Sequence, residues 1–505
     1  MQLLFVFTAW LSLVQAIPSA PFTSRADPEV LSVASTDLQP VLSKNAKIVL
    51  PNGADWAELQ VRGTSPRISP RYNVVVEVAT EQDVVNTVTI ANKYGIPFLA
   101  VSGTHGWTKT LNNLPFGIQI NMRKLNTANV DKAGKTTTVG GGMLQWELTR
   151  ALFAENKQAV TGLCECVSII GPLMGGGHSM LQARHGFSLD NIVSARVVLA
   201  NGTAVTASNT KNTDLFWALR GAGHNFGVVT SMVLNIYDIK KNWTVYSLIF
   251  TQDKIEQLFK TVNDVDTKPN RPSNMFLTGV TVRIPGIDAT NPVIAYTVGF
   301  EGSQAEAAPW AAPFQALEPA VTQIDTDVDY VSLYTVTQNN LDSTACRRNL
   351  NAMGSGASLP TWNTTAIRNA YNIFRTMTAD ARFNTSVLLL ESYGMQGVKA
   401  VDASSTSLAL EERQYPNVAN PTIWWEGNDA KTTTDGYAYG DKIRNAFFAG
   451  MGKAKKHTYV NYAIGTESFE QMYGYEDWRV KKLKSLKKSL DPGNKFGYYN
   501  PVPAA

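Results

Sequence analysis

In the first half of the chain, short apolar runs alternate with segments of helical spacing. Tyr72 to Val78 (YNVVVEV) reads as a strand, and Thr80-Glu81-Gln82-Asp83 opens a helix capped by Thr80, with Val84, Val85, Val88 and Ala91 on its apolar face and Gly95 at its end. A second strand, Pro97 to Val101, runs into Ser102-Gly103-Thr104-His105-Gly106-Trp107, and a third spans Phe116 to Met122. This βαβ start suits a nucleotide-binding unit, yet it lacks the Gly-x-Gly-x-x-Gly of a Rossmann helix, so a cofactor here has to be held differently. Lys135 to Gly142 is a further strand, leading into a helix over Met143 to Ala154 with Leu144, Leu148, Ala151 and Leu152 on one face. Ser194 to Ser208 is a hairpin about Asn201-Gly202, and Asp214 to Thr230 gives a short aromatic helix, a glycine-bearing loop and a return strand.

From about Asn242 the pattern changes. Val245 to Phe250, Val293 to Phe300, Thr385 to Ser392 and Thr422 to Glu426 read as strands, with helices such as Ile255 to Val262 and Thr365 to Met377 between them. An antiparallel sheet with helices covering one face follows, a separate substrate domain over 241–456. Tyr459-Val460-Asn461-Tyr462 alternates as a strand, which puts Tyr459 and Asn461 on one face and Tyr462 on the other. The last helix predicts a buried stripe of Trp478, Leu483, Leu486 and Leu490, with the Lys481 to Lys488 cluster on a solvated face.

Candidate chemistry concentrates in Val160 to Ser194, which holds two of the three cysteines, two of the five histidines and the run Gly175-Gly176-Gly177. Consecutive glycines let the backbone approach a ligand and aim N–H groups into an anion-binding nest suited to a pyrophosphate; a purely structural glycine turn is the competing reading. His178 stands where a Walker loop needs lysine, and Leu181 where a serine-hydrolase elbow on Ser179 needs glycine. Cys164 and Cys166, two apart in an extended segment, point the same way but sit too far apart to bridge each other comfortably, so at most one pairs with Cys346 and the other is an inert thiol or a nucleophile. His105, flanked by small residues at a strand end, has no second ligand at metal spacing, so a metal is not expected; it reads as a hydrogen-bonding residue or the carrier of a covalent link.

A chain of 505 residues, 44% apolar and 17% charged, has material for two or more lobes, and a net charge of +4 gives no case for a nucleic-acid partner. Met1 to Ala16 reads as a secretory signal too short to span a bilayer, followed by a polar N-terminal segment over 17–65. Sequons at Asn201, Asn242, Asn363 and Asn384 fit a secreted, glycosylated protein without a membrane span.

The ordered set RYNVVVEVATEQDV, SGTHGW, VTGLCEC…GPLMGGGHS, the Asn-Gly hairpin and DLFWALRGAGHNFGVVT, closed by YVNYAIG and LDPGNKFGYYNP, resembles berberine bridge enzyme-like FAD-linked oxidoreductases of the vanillyl-alcohol oxidase superfamily, of the secreted fungal kind. The resemblance implies an α+β fold. A PCMH-type FAD-binding domain of two subdomains spans 66–240, the substrate domain follows, and 457–505 returns to the FAD domain. It also implies FAD in the cleft, with Ser102, Gly103, Thr104, His105, Gly106, Gly171, Gly175, Gly176, Gly177, Val229 and Asn461 against it. His105 matches the histidine that bonds to the flavin, Cys164 the cysteine that makes a second bond in some members (Cys166 competing), and Tyr462 an active-site tyrosine. That tyrosine would accept a proton once a nearby cation lowers its pKa, while a small organic substrate, a secondary metabolite or saccharide, gives hydride to the flavin and oxygen or another acceptor takes the electrons.

Three positions depart from the family pattern. In the loop Val101 replaces an arginine and Thr104 a glycine, and Ser168 replaces a glycine after Cys-x-x-Val; Ile169 then falls at the position that, by resemblance, gates oxygen access, where its bulk would slow reoxidation. In the substrate domain Glu391 and Glu426 are candidates for a base or a buried ion pair, and Trp424-Trp425 for stacking a substrate ring or filling the core. The rival classes are a hydrolase built on Ser179 and a non-catalytic binding protein on the flavin fold.

Overall fold

The structure is a computed structural model that describes residues 28–62 and 65–504; the leader Met1 to Ala16 lies outside the described residues. Three sheets organise it, each with its own apolar core. In the first lobe, Lys47–Val49 (β1), Val74–Glu77 (β2), Phe98–Val101 (β3) and Ile118–Asn121 (β4) lie in the order β1-β2-β4-β3, with β2, β4 and β3 parallel. The helix Glu81–Lys93 makes the crossover. Thr80 caps it by accepting from the Asp83 N–H, and the Asp83 carboxylate accepts in return from the Thr80 N–H.

The second lobe combines Ala128–Val130 (β5), Thr136–Gly140 (β6), Lys157–Ala159 (β7), Ile192–Val198 (β8), Ala204–Ser208 (β9) and Val228–Asp238 (β10) around the long β10. The predicted hairpin is β8–β9, and Gly202 takes the positive φ of 85° its turn requires.

The third sheet has eight strands. Trp243–Phe250 (β11), Met275–Val282 (β12), Val293–Glu301 (β13), Val321–Val328 (β14), Asn351–Met353 (β15), Ala357–Leu359 (β16), Val387–Ser392 (β17) and Asn417–Trp425 (β18) give the order β14-β11-β13-β12-β17-β18-β15, with β16 also on β18. Every pairing in it is antiparallel. Even-numbered residues of β11 and β13, such as Leu248, Phe250, Tyr296 and Val298, face the core formed with the helices Ile255–Asp266, Gln304–Gln315, Thr364–Ala379 and Ala430–Ala449. The opposite face looks toward the two lobes. The molecule is thus the expected α+β arrangement of a two-lobed domain and a helix-backed antiparallel sheet. The strands β12 and β14 were absent from the sequence reading, because β14 is a mostly exposed edge without an apolar run and β12 alternates apolar with small polar residues.

The C-terminal segment departs from expectation at two points. Val460–Tyr462 is a turn of 3₁₀ helix rather than a strand, so the predicted division of faces does not hold; Tyr459, Asn461 and Tyr462 all reach the same cavity. In the final helix, Asp477–Leu490, Leu483 is buried and Leu486 and Leu490 pack partly against the core, but Trp478 is exposed. Lys487, expected in solvent, is fully buried: its Nζ lies 2.6 Å from the Asp491 carboxylate and donates to the Asn225 carbonyl at 3.1 Å. Asp491 also accepts from the Lys495 and Phe496 N–H groups, which turns the chain back toward the first lobe. Replacing Asp491 by Ala leaves a buried ammonium unpaired, and we expect a loss of about 3–5 kcal/mol in denaturant-measured stability.

Candidate active site

Between the lobes and the open face of the large sheet lies a cavity of about 1110 Å³, larger than the usual 300–1,000 Å³ of a single small-ligand pocket. On the lobe side, the loop after β3 forms one wall. A Cβ on Gly103 would meet the Ser168 amide nitrogen at 2.8 Å, and one on Gly106 the Tyr499 ring at 2.9 Å, so both glycines are required by close packing. Between them Thr104 sits at φ 51°, the left-handed region that a β-branched residue rarely occupies. Ser102 lines the cavity with its Oγ buried and unpartnered among the described residues.

His105 is half-buried on this wall, with Nε2 3.0 Å from the Ala345 carbonyl. A carbonyl only accepts, so Nε2 carries the proton and the ring's lone pair is on Nδ1. Burial lowers the imidazole's pKa and favours this neutral form.

Cys166 and Cys346 form a disulfide, and Cys164 is the free thiol. Its sulfur lies 3.5 Å from that of Cys346 and 3.6 Å from that of Cys166, and burial pushes its pKa up to about 12. The pairing left open in the sequence is thus Cys166 with Cys346, which ties the Thr344–Cys346 turn to the Cys164–Val167 segment.

The glycine run does not form the expected nest. The Gly175 N–H donates to the Pro172 carbonyl, that of Gly176 to the Leu173 carbonyl, and that of Gly177 to the Tyr459 hydroxyl at 2.7 Å. All three donors are spent inside the protein, and of the three only Gly177 lines the cavity. What the glycines supply is room: a Cβ on Gly175 would lie 2.2 Å from the Asn461 Oδ1, and one on Gly177 2.4 Å from the Ser188 Cβ. Gly171, Val229 and Asn461 do line the cavity, the last with its amide donating to the Pro172 carbonyl. Ile169 does not: it is buried in the second-lobe core, and Val167 and Ser168 hold the wall instead. Ser179 is buried off the cavity with its Oγ accepting from the Leu181 N–H, and its neighbour His178 is engaged by other groups, so no nucleophile–base pair exists there.

The sheet side contributes Glu391 at the end of β17. Its two oxygens accept from the Tyr393 hydroxyl at 3.0 Å and the Tyr462 hydroxyl at 3.3 Å. Burial raises the Glu391 pKa, and burial followed by the Glu391 carboxylate raises that of Tyr462 well above the ordinary phenol value. The predicted cation beside Tyr462 is therefore replaced by a carboxylate, and the proton-accepting group of the pair is Glu391. Glu426 is an exposed partner of Arg347, while Trp424 lines the cavity and Trp425 lies in the core.

Behind this pair is a network that sequence reasoning missed. The Tyr393 ring stacks on His178 with centroids 4.2 Å apart. His178 Nε2 lies 2.8 Å from one oxygen of Glu412, and His457 Nε2 2.7 Å from the other, which also accepts from the Ser358 hydroxyl. Burial alone would raise the Glu412 pKa; the hydrogen bonds from the two histidines outweigh it and hold the carboxyl at about 2. The partners are 234 and 45 residues from Glu412 along the chain, so no local pattern links them.

A large cleft between two lobes and a sheet, with a neutral histidine on one wall and a buried carboxylate–tyrosine pair on the other, defines a site for a sizeable cofactor and a substrate together. An FAD binding domain model matches residues 72–208. An FAD-linked oxidoreductase of Penicillium roqueforti is 35% identical over 485 residues, covering 95% of this chain and 93% of that protein. Another, of Gibberella zeae, is 35% identical over 478 residues, covering 91% and 93%. A xylooligosaccharide oxidase from Myceliophthora thermophila in complex with xylobiose has the same fold, with a TM-score of 0.79 at 20% identity over 93% of this chain and 98% of that one. The chain belongs to the family of these FAD-linked oxidoreductases.

The residues present fit FAD: the cavity has the capacity, the unpartnered Ser102 Oγ offers a hydrogen bond, and the glycines of the 102–106 loop keep its wall thin. Digestion without reductant is expected to yield a Cys166–Cys346 cross-linked peptide pair, with Cys164 alkylated only after unfolding because its buried thiol stays protonated. A cross-link containing Cys164 in the native protein contradicts this.

Proposed function

We propose that this oxidoreductase tethers FAD through His105 and oxidises a small hydroxylated organic substrate, with Tyr462 and Glu391 removing the substrate's proton. The observation that carries the reading is the Tyr462–Glu391 hydrogen bond across the cavity from the His105 wall. FAD, when bound, supplies the hydride acceptor, and oxygen or another acceptor takes the electrons from it. The Tyr462 oxygen receives the substrate hydroxyl proton as its own proton passes to Glu391, so the proton ends on the carboxylate, which becomes a neutral carboxylic acid, and the negative charge leaves the substrate with the hydride. A raised carboxyl pKa favours that outcome, and Tyr393 holds the carboxylate in register for it. His105 serves as the attachment nucleophile because its neutral ring keeps a lone pair, whereas the Cys164 thiol is held protonated; a second link through Cys164 is the alternative outcome of the same mapping.

The site residues Ser102, Gly103, Thr104, Gly106, Gly171, Gly177, Val229 and Asn461 form the cofactor side of the cavity in this reading. A secreted protein is supported by the disulfide and by exposed sequon asparagines at 201, 363 and 384. Protein unfolded in acid is expected to keep a flavin absorption band on the His105 peptide, and His105→Ala to release it; a colourless native protein overturns the reading.

Activity is expected to require ionised Glu391. Because its pKa is raised, the acid limb of the rate profile lies above the ordinary carboxylate range, and the rate climbs as pH rises through it. Glu391→Gln is expected to abolish that limb and lower kcat by about 10²–10⁴-fold, with flavin content unchanged.

A further inference from the structure

The open face of the large sheet carries a row of polar residues in register. Gln323 on β14 pairs with Ser247 on β11, Ser247 with Thr297 on β13, Thr297 with Thr278 on β12, and Thr278 with Glu391 on β17. Residues directly opposite each other share a face, so the five side chains form one line across five strands, and all of them border the cavity. The hydroxyls of Ser247, Thr297 and Thr278 make no hydrogen bond among the described residues, although the three residues are only half-exposed. Beside this line runs a second one, Val321, Ile249, Ala295, Val280 and Leu389, equally in register and wholly apolar.

Strands lie about 4.8 Å apart. Thr278 is therefore about 5 Å from Glu391 along the row, Thr297 about 10 Å and Ser247 about 14 Å. Neutral hydroxyls at this spacing, with a hydrocarbon strip alongside, match a ligand that is oxygenated along one edge and hydrocarbon along the other. They match poorly a saccharide, which is polar on every edge and would leave its hydroxyls against Ile249, Val280 and Leu389 without partners.

We propose that this double row is the substrate-selecting surface, and that it selects elongated, uncharged, amphipathic alcohols whose further oxygen functions recur at about one strand spacing from the carbon being oxidised. The inference rests on the reading of Glu391 as the proton acceptor at one end of the row. Thr278 and Thr297 then act as a ruler: each bonds an oxygen at one distance and leaves other distances unrewarded.

The test uses the flavin-containing protein and measures dissociation constants from ligand-induced shifts in its unfolding midpoint, a readout that needs no turnover. The probes are butanol, octanol, the terminal butanediol, the terminal octanediol and xylobiose. Each diol is expected to bind about two- to tenfold tighter than the alcohol of the same length. Thr278→Val is expected to erase the advantage of butanediol, and Thr297→Val that of octanediol; both changes are isosteric and keep a β-branched residue in a strand. Diols that bind no better than the simple alcohols, an advantage unaffected by both valines, or xylobiose binding tighter than either diol, each overturns the proposal. Failure of the catalytic reading shows elsewhere, in the His105 peptide and the Glu391→Gln rate profile, and does not alter these binding constants.

Discussion

The arrangement depends on one buried carboxylate. Glu412 has no exposure to solvent and accepts hydrogen bonds from His178 of the second lobe, Ser358 of the large sheet and His457 of the C-terminal return. An ionised group in such a place is tolerated only when its lone pairs are filled, so the three parts of the chain have to meet at this point for any of them to be satisfied. This junction borders the cavity, which His178 and Tyr459 line. His178 then stacks on Tyr393, and Tyr393 sets the carboxylate of Glu391. The chemical end of the site is thus supported by a charge several groups behind it.

The glycine run illustrates the same coupling in reverse. Its amides are used within the fold, and its lack of side chains lets Tyr459 and Asn461 come against the backbone. The C-terminal return therefore depends on Gly175 to Gly177 for its seat, and Tyr462 depends on that return for its place beside Glu391. Trp107 Nε1, bonded to the Tyr462 carbonyl at 3.2 Å, ties the same turn to the loop that carries His105. The two walls of the site are consequently joined through short contacts rather than across the cavity itself.

Much of this was legible in the residues. The βαβ start, the Thr80 cap, the Asn201-Gly202 hairpin and the helix-backed antiparallel sheet are local matters, each decided by the spacing of apolar positions or the backbone freedom of one residue, and spacing is a property of the sequence. His105, Cys164 and Tyr462 were singled out by family pattern, and all three line the cavity. The alternation of Tyr459 to Tyr462 misled because three or four residues fit a strand and a 3₁₀ turn equally well, and the long-range bonds of Asn500 to Thr108 and to the Val460 carbonyl chose the turn.

By itself the sequence determined the strands and helices whose apolar spacing is regular, which residues bring nucleophilic or acid–base chemistry, and that the chain carries a flavin-binding pattern. Only the tertiary structure decided what surrounds each of those groups. It joined Cys166 rather than Cys164 to Cys346, gave Tyr462 a carboxylate instead of a cation, buried Lys487 and filled the glycine amides. The reason is physical: a side chain's protonation and reactivity depend on the charges, donors and solvent within a few ångströms of it, and at the cavity those neighbours come from far along the chain, Glu391 lying 71 residues from Tyr462 and Cys346 180 from Cys166.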